Sequence, residues 1–362
     1  MLTKVILENY RVYKNKTVFD LKDSNIGMIF GPESEGKSTL LNSIRLLLEL
    51  AVNGRNIKDG INLSLIGDGN EFSLEYHFLI NGDVIHYKVR FSPISGKAYE
   101  KLSVENRVIF ERDNEKIKIV KLSDDMDIDN KADSLFIHKI VSQMNIGDNE
   151  TLKEWSEFLK NSIYINPLTG TIITYGEYKP HANKHIEKYG VDEFNRFFKD
   201  KKMGISISYS HDGKNKKFNI KIGPENNKTI FVTHQKSNMT LPFIEESLSI
   251  QTLLNILPSF FHLKEQKGML LIDNLSSSLH PKVEDTLIKH FINDIKDSNF
   301  IFVSNNAYFL LNKVINSDAI YITYYKEEQG SSIKPLSEHK SKVVTPPKPL
   351  DLKDLPKQKY TN

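Results

Sequence analysis

The stretch Gly31-Pro-Glu-Ser-Glu-Gly-Lys-Ser38 constrains this chain more than any other. It fits G-x-x-x-x-G-K-[ST], with an apolar run (Ile26 to Phe30) before it and helical spacing from Thr39 to Leu50 after it. The spacing has a mechanical meaning. Glycines let successive backbone N–H groups curl round an anion, and the following helix aims its positive end at the same point. Gly31, Glu33, Ser34, Glu35, Gly36, Lys37, Ser38 and Thr39 are therefore candidate ligands of a nucleoside triphosphate. Lys37 would reach the β- and γ-phosphates, and the Ser38 hydroxyl would ligate Mg²⁺. Glu33 and Glu35 would repel a polyphosphate unless they point outward.

Around the loop, Leu40, Leu41, Ile44, Leu47 and Leu48 fall on one helical face that should pack on a sheet. The segment Asn9-Tyr-Arg-Val-Tyr13 precedes the loop, where Arg11 and its aromatic neighbours could meet a nucleotide base. Phe72, Leu74, Tyr76, Phe78 and Ile80 alternate strictly, Asn81-Gly82 turns the chain, and Ile85, Tyr87, Val89 and Phe91 alternate again. This is the strongest local signal for a hairpin. Leu102, Val104, Val108 and Phe110 suggest a second one.

From Ala132 to about Lys202 the apolar period becomes helical, and strands are then expected at Ile205–Tyr209, Phe218–Ile222 and Thr229–His234. His181, His185, His211 and His234 lack metal-ligand spacing and are expected on the surface. Gly268-Met-Leu-Leu-Ile-Asp273 is a buried-strand pattern ending in a carboxylate, the Walker B form, which would bring Asp273 beside the metal. Asn299 to Ser304 is the next core strand.

Composition narrows the class. The 362 residues are 39% hydrophobic and 26% charged, as in a globular chain of one large or two ordinary domains. No apolar run approaches the roughly 20 residues of a membrane span. The N-terminus enters a strand pattern directly, and the lack of cysteine removes disulfides and thiolate metal sites. A cytoplasmic protein is expected. The net charge of +3 is too small to argue for nucleic acid by itself, and residues 331–362 concentrate it, with seven lysines against Glu338, Asp351 and Asp354.

The order of these features resembles the ABC-type ATPases of the SMC/RecF/OLD group. More closely, it resembles the stand-alone ATP-binding proteins of bacterial phage-defence operons. The likeness spans roughly residues 1–325 and rests on Leu7-Glu-Asn-Tyr-Arg11, the Asn81-Gly82 hairpin, Leu241 to Gln251 with Glu246-Ser247, and Asp273 to Leu279-His-Pro281. It implies an α/β P-loop NTPase of ABC type, with an antiparallel β block and a helical insert between Walker A and Walker B. The corresponding divisions are an N-terminal ATPase lobe (1–130), a helical insert (131–203), a C-terminal ATPase lobe (204–325) and a flexible Pro/Lys-rich tail (326–362).

In that group two subunits sandwich ATP, and the signature serine of one meets the γ-phosphate held by the other. Ser247 takes that place here, which implies an ATP-sandwiched dimer or higher oligomer. Three positions depart from the pattern. Asn274 stands where the group has the glutamate that orients water, Asn305 where it has a histidine, and Ser249 where the signature has glycine. An amide cannot accept a proton as a base, so hydrolysis should be slow. The resemblance thus implies a nucleotide-gated switch or scaffold in anti-phage defence, with a separate effector protein. The alternative is an active ATPase, a RecF-like clamp that binds DNA, with a carboxylate such as Glu284 as the base.

Overall fold

The computed structural model describes residues 1–22, 24–57, 71–114, 116–119, 135–142, 149–211, 228–311 and 313–339. Two seven-stranded sheets organise it. The first is antiparallel and runs β2-β1-β4-β5-β6-β7-β8. Its strands are β1 (Leu2–Glu8), β2 (Thr17–Asp20), β4 (Phe72–Ile80), β5 (Asp83–Ser92), β6 (Lys97–Val104), β7 (Arg107–Asp113) and β8 (Lys116–Ile119). The Asn81-Gly82 hairpin forms as its alternation requires, with Tyr76 opposite Tyr87 and His77 opposite His86. Tyr76, Phe78, Ile85 and Tyr87 point inward and are at most 1% exposed, while Glu75, His77, His86 and Lys88 occupy the outer face.

The second sheet runs β10-β9-β14-β15-β3-β16-β17. Its strands are β3 (Ile26–Phe30), β9 (Ile163–Asn166), β10 (Thr171–Thr174), β14 (Met269–Ile272), β15 (Asn299–Val303), β16 (Ile320–Lys326) and β17 (Gly330–Pro335). From β9 to β16 all neighbours are parallel, and the two outermost strands are antiparallel. Both faces are covered. Met269 and Leu271 join the core that contains helix α1 (Lys37–Ala51) and the antiparallel sheet, whereas Leu270 and Ile272 join a second core with Phe260, Leu287 and Phe291. Burial on both sides is why β14 is an unbroken apolar run rather than an alternating one. Each such side chain contributes about 1.5–3 kcal/mol when fully buried.

A small third sheet, β11 (Ile205–His211), β12 (Lys228–His234) and β13 (Met239–Pro242), leads into the segment that carries Ser247. Two expectations change. The segment 131–203 is not wholly helical, because β9 and β10 interrupt it and complete the edge of the phosphate-loop sheet. The tail does not begin at residue 326, because β17 pairs with β16 from Lys326↔Gly330 to Tyr321↔Pro335. The expected strand Phe218–Ile222 and the tail beyond residue 339 lie outside the described residues. Among the described residues no helix is long and apolar enough to cross a membrane.

Candidate nucleotide-binding site

Strands β3, β15 and β14 lie side by side with Ile29 opposite Val303 and Phe302 opposite Ile272. Their carboxyl ends therefore deliver Gly31, Ser304 and Asp273 to one edge of the sheet, the edge where open parallel sheets bind ligands. The strand between the two motifs is the one that ends in Ser304, whose N–H donates to the Ile29 carbonyl at 3.2 Å.

The loop is shaped by close approaches. A Cβ at Gly31 would collide with the Thr323 hydroxyl on β16. Gly36 has φ +98°, and a Cβ there would meet Tyr13 at 3.0 Å and the Ser331 hydroxyl at 3.1 Å. The Tyr13 hydroxyl donates to the Gly36 carbonyl at 3.1 Å, and the Ser331 N–H donates to the Val12 carbonyl at 2.7 Å. Gly36 is the N-cap of α1 and supplies no side-chain acceptor, so the first helical N–H groups are left for an anion.

Lys37 is 8% exposed, and its ammonium donates to the carbonyls of Gly31 (2.7 Å) and Pro32. Burial lowers its pKa, opposed by the nearby charges of Glu33, Glu35 and Asp273. Glu33 and Ser34 are exposed, Glu35 is half-buried with one carboxylate oxygen enclosed, and Thr39 is half-buried in the first turn of α1. The Ser38 hydroxyl donates to Asp273 Oδ1 at 3.0 Å, joining two motifs separated by 235 positions. Asp273 is 4% exposed, and burial raises its pKa, so a cation beside it would be favoured. Two hard oxygen donors at this spacing suit Mg²⁺, which Ser38 and Asp273 would hold and which would neutralise phosphate charge.

Two expected residues take different places. Tyr10 and Tyr13 are 2% and 0% exposed, so neither ring face is free for a base; Tyr13 packs against Gly36 of the loop instead. Arg11, with φ +52°, lies over the Tyr10 ring at 5.8 Å, and its Nε is enclosed without a partner. Asn274 occupies the left-handed region (φ 60°, ψ 47°) between Asp273 and the 3-10 turn Leu275–Ser277. Asparagine is among the few residues that adopt this conformation readily. Asn305 is exposed, whereas Asn306 is anchored, donating to Glu284 Oε2 at 2.6 Å. Glu284 is 0% exposed, its other oxygen is enclosed without a partner, and burial raises its pKa.

Ser247 caps helix α6 (Leu248–Glu265), accepting from the Ile250 N–H at 3.4 Å, and is exposed. Its hydrogen bonds among the described residues, with Glu246, Ile250 and Gln251, lie within its own segment. The residue that the sequence did not reveal here is His234, expected on the surface and lying between the two motifs in the chain. Its Nε2 lies 2.7 Å from Oε1 of the buried Glu246, whose Oε2 accepts from the Ser247 N–H at 3.3 Å. His185, also expected on the surface, is 4% exposed and bonded to Tyr178 and Glu193. Ser249 accepts from the His280 N–H at 3.4 Å, and Thr252 donates to Ser278 at 3.0 Å, so the start of α6 is tied to the loop after Asp273.

Comparison with known proteins agrees with this geometry. Residues 4–167 match the AAA domain family. No curated protein matches the chain. Among solved structures, the SMC head domain from Thermotoga maritima is similar with TM-score 0.53 at 13% identity, covering 92% of this chain and 98% of its own. An SmcHead bound to the C-winged helix domain of ScpA gives 0.54 at 15% identity, with coverages of 92% and 97%. An Smc head domain with an extended coiled coil, bound to the C-terminal domain of ScpA derived from Pyrococcus furiosus, gives 0.54 at 12%, with 92% and 95%. At such identities the likeness is one of fold. The chain has the SMC head-like α/β P-loop ATPase fold, an antiparallel sheet beside a mixed one, with the AAA domain match lying on its phosphate-loop half.

Proposed function

We propose that this chain binds ATP with Mg²⁺ and acts as a nucleotide-gated switch or scaffold whose hydrolysis is slow. The observation that carries this reading is the contrast around Asp273. Lys37 is bonded to the loop carbonyls of Gly31 and Pro32 and Ser38 to Asp273, while the next position holds an amide in a conformation that suits asparagine. Binding groups are retained where the proton acceptor is lacking. Ser247 belongs to the second half of the site, which a second copy would complete. Ile244 and Leu248 beside it are 66% and 63% exposed, as expected of residues covered on association. A separate effector in anti-phage defence is part of the proposal through the resemblance described above, and the SMC heads bound to ScpA are precedent for a protein partner on this fold.

A second reading is an active ATPase of a RecF-like DNA clamp, which Glu284 favours as a buried carboxylate of raised pKa. ATP binding and turnover on wild type, Asn274→Glu and Lys37→Ala decide between them. The switch reading expects tight binding, turnover that Asn274→Glu increases, and loss of binding in Lys37→Ala. Fast wild-type turnover that Glu284→Gln abolishes would favour the second reading, as would DNA binding that weakens steeply with salt.

A further inference from the structure

The outer face of the antiparallel sheet carries a group that the nucleotide site does not use. Glu75 and His77 are two residues apart on β4 and so share a face, and His86 lies directly opposite His77 on β5. The imidazole rings stack with centroids 4.4 Å apart and planes at 22°. Both Nε2 atoms converge on one atom, Glu75 Oε1, at 3.0 Å from His77 and 2.9 Å from His86. The three ligand atoms lie within 4.8 Å of one another.

Hydrogen bonding accounts for one side of this convergence, because His77 Nε2 pairs with Glu75 Oε1 at 3.0 Å. His86 Nε2 is enclosed yet makes no aligned hydrogen bond, despite its closeness to the carboxylate. An enclosed polar nitrogen without a partner is costly and calls for a bound species. The two rings face each other at 4.4 Å, and Lys88 Nζ lies 3.3 Å from Glu75 Oε2. A single divalent ion replaces both ring protons and satisfies both nitrogens and the carboxylate oxygen together.

We propose that Glu75, His77 and His86 form a transition-metal site of the Zn²⁺ class. Two imidazoles and a carboxylate are a donor set for Zn²⁺ rather than Mg²⁺. With metal–ligand bonds near 2.0–2.1 Å, tetrahedral ligand atoms sit about 3.3 Å apart. The carboxylate-to-imidazole distances are already close to that value. The ligands stand on a tight hairpin whose opposite face, Tyr76, Phe78, Ile85 and Tyr87, is locked in the core, so the site is held by rigid strands. His86 also lines an adjoining cavity of about 410 Å³, together with Lys88, Arg90, Tyr99 and Lys101. Those cations favour hydroxide or an anion as the fourth ligand.

The test is Zn²⁺ titration of the untagged, chelator-treated chain by calorimetry, with thermal melts with and without metal. One equivalent should bind and raise the melting temperature. His77→Ala and His86→Ala should each weaken binding at least ~100-fold, the upper end of what an outer-shell partner costs. Lys88→Gln should tighten it by removing a facing charge, and His181→Gln, exposed elsewhere, should leave it unchanged. Melts of the two alanine variants in chelator should match wild type in chelator, which separates ligand loss from unfolding. No saturable binding, or equal affinity in wild type and both alanine variants, overturns the proposal. So does a melting loss in those variants that is the same with and without Zn²⁺, since the cluster would then be only an ion pair.

Discussion

The phosphate loop and the Ser247 segment, the two halves of the proposed site, differ in how far each is complete within one chain. Lys37 and Asp273 are 8% and 4% exposed, and the Lys37 ammonium, the Ser38 hydroxyl and the Asp273 carboxylate are already bonded to neighbours. At the other half Ser247 is exposed, flanked by Ile244 and Leu248, and held by a relay through Glu246 to His234. The first half is organised like a protein interior and the second like an interface lacking its other side. Nucleotide binding should therefore be a property of the monomer, and oligomerisation a property of the complex with nucleotide.

Substitutions at each half should separate the two properties. The largest effect is expected from Leu248→Glu, which should abolish ATP-dependent self-association in light scattering while ATP affinity stays within twofold. If affinity falls in parallel, the halves are not separable. Asp273→Asn should weaken Mg²⁺-ATP at least about tenfold, as expected when a charged partner worth about 1.5–3 kcal/mol is neutralised, and leave Mg²⁺-free binding less affected. Asn274→Glu should destabilise the fold by about 1 kcal/mol, because a longer side chain in the left-handed region carries a 1–2 kcal/mol penalty. Asn274→Gly should lack that penalty, and denaturant unfolding compares the two.

The smallest effect is a pH dependence remote from both halves. His262 stacks on Tyr178 at 4.1 Å, and burial lowers its pKa to about 4, a hydrogen bond with Asn161 opposing the shift. Between the ordinary histidine value near 6.5 and about 4 the unfolded chain binds more protons, so stability should fall as pH drops through that window. His262→Phe, which keeps the stack, should flatten the melting temperature over the same range.

Legibility in the sequence followed the range of the physics involved. The phosphate loop, the β4–β5 hairpin and the strand before Asp273 were readable because glycine spacing, alternation and an apolar run are local signals. The four-residue strands β9 and β10 were not, because Ile163-Tyr-Ile-Asn166 lies among helices and its parallel partner β14 comes about a hundred residues later. Strand β17, rich in serine, looked like tail because its burial comes from pairing with β16 and not from its own hydrophobicity. The segment Asn9–Tyr13 could meet a base as far as its sequence goes, and only the burial of Tyr10 and the packing of Tyr13 on Gly36 show both rings turned inward. His234 is expected on the surface for want of metal-ligand spacing, although three-dimensional pairing with Glu246 places it beside Ser247.

The seal over Gly36 by Tyr13 and Ser331 bears on when the site can come into being. Ser331 bonds to Val12, and the β17 strand that carries it pairs with β16, the neighbour of the phosphate-loop strand. Sequence separations of this size make for slow, late closure. During synthesis the Gly31–Ser38 segment emerges early, yet its floor is finished only after residue 331 has left the ribosome. A nascent chain would therefore carry an unfinished phosphate cradle while residues 39–330 are made, and nucleotide capture would follow the pairing of β17 rather than precede it.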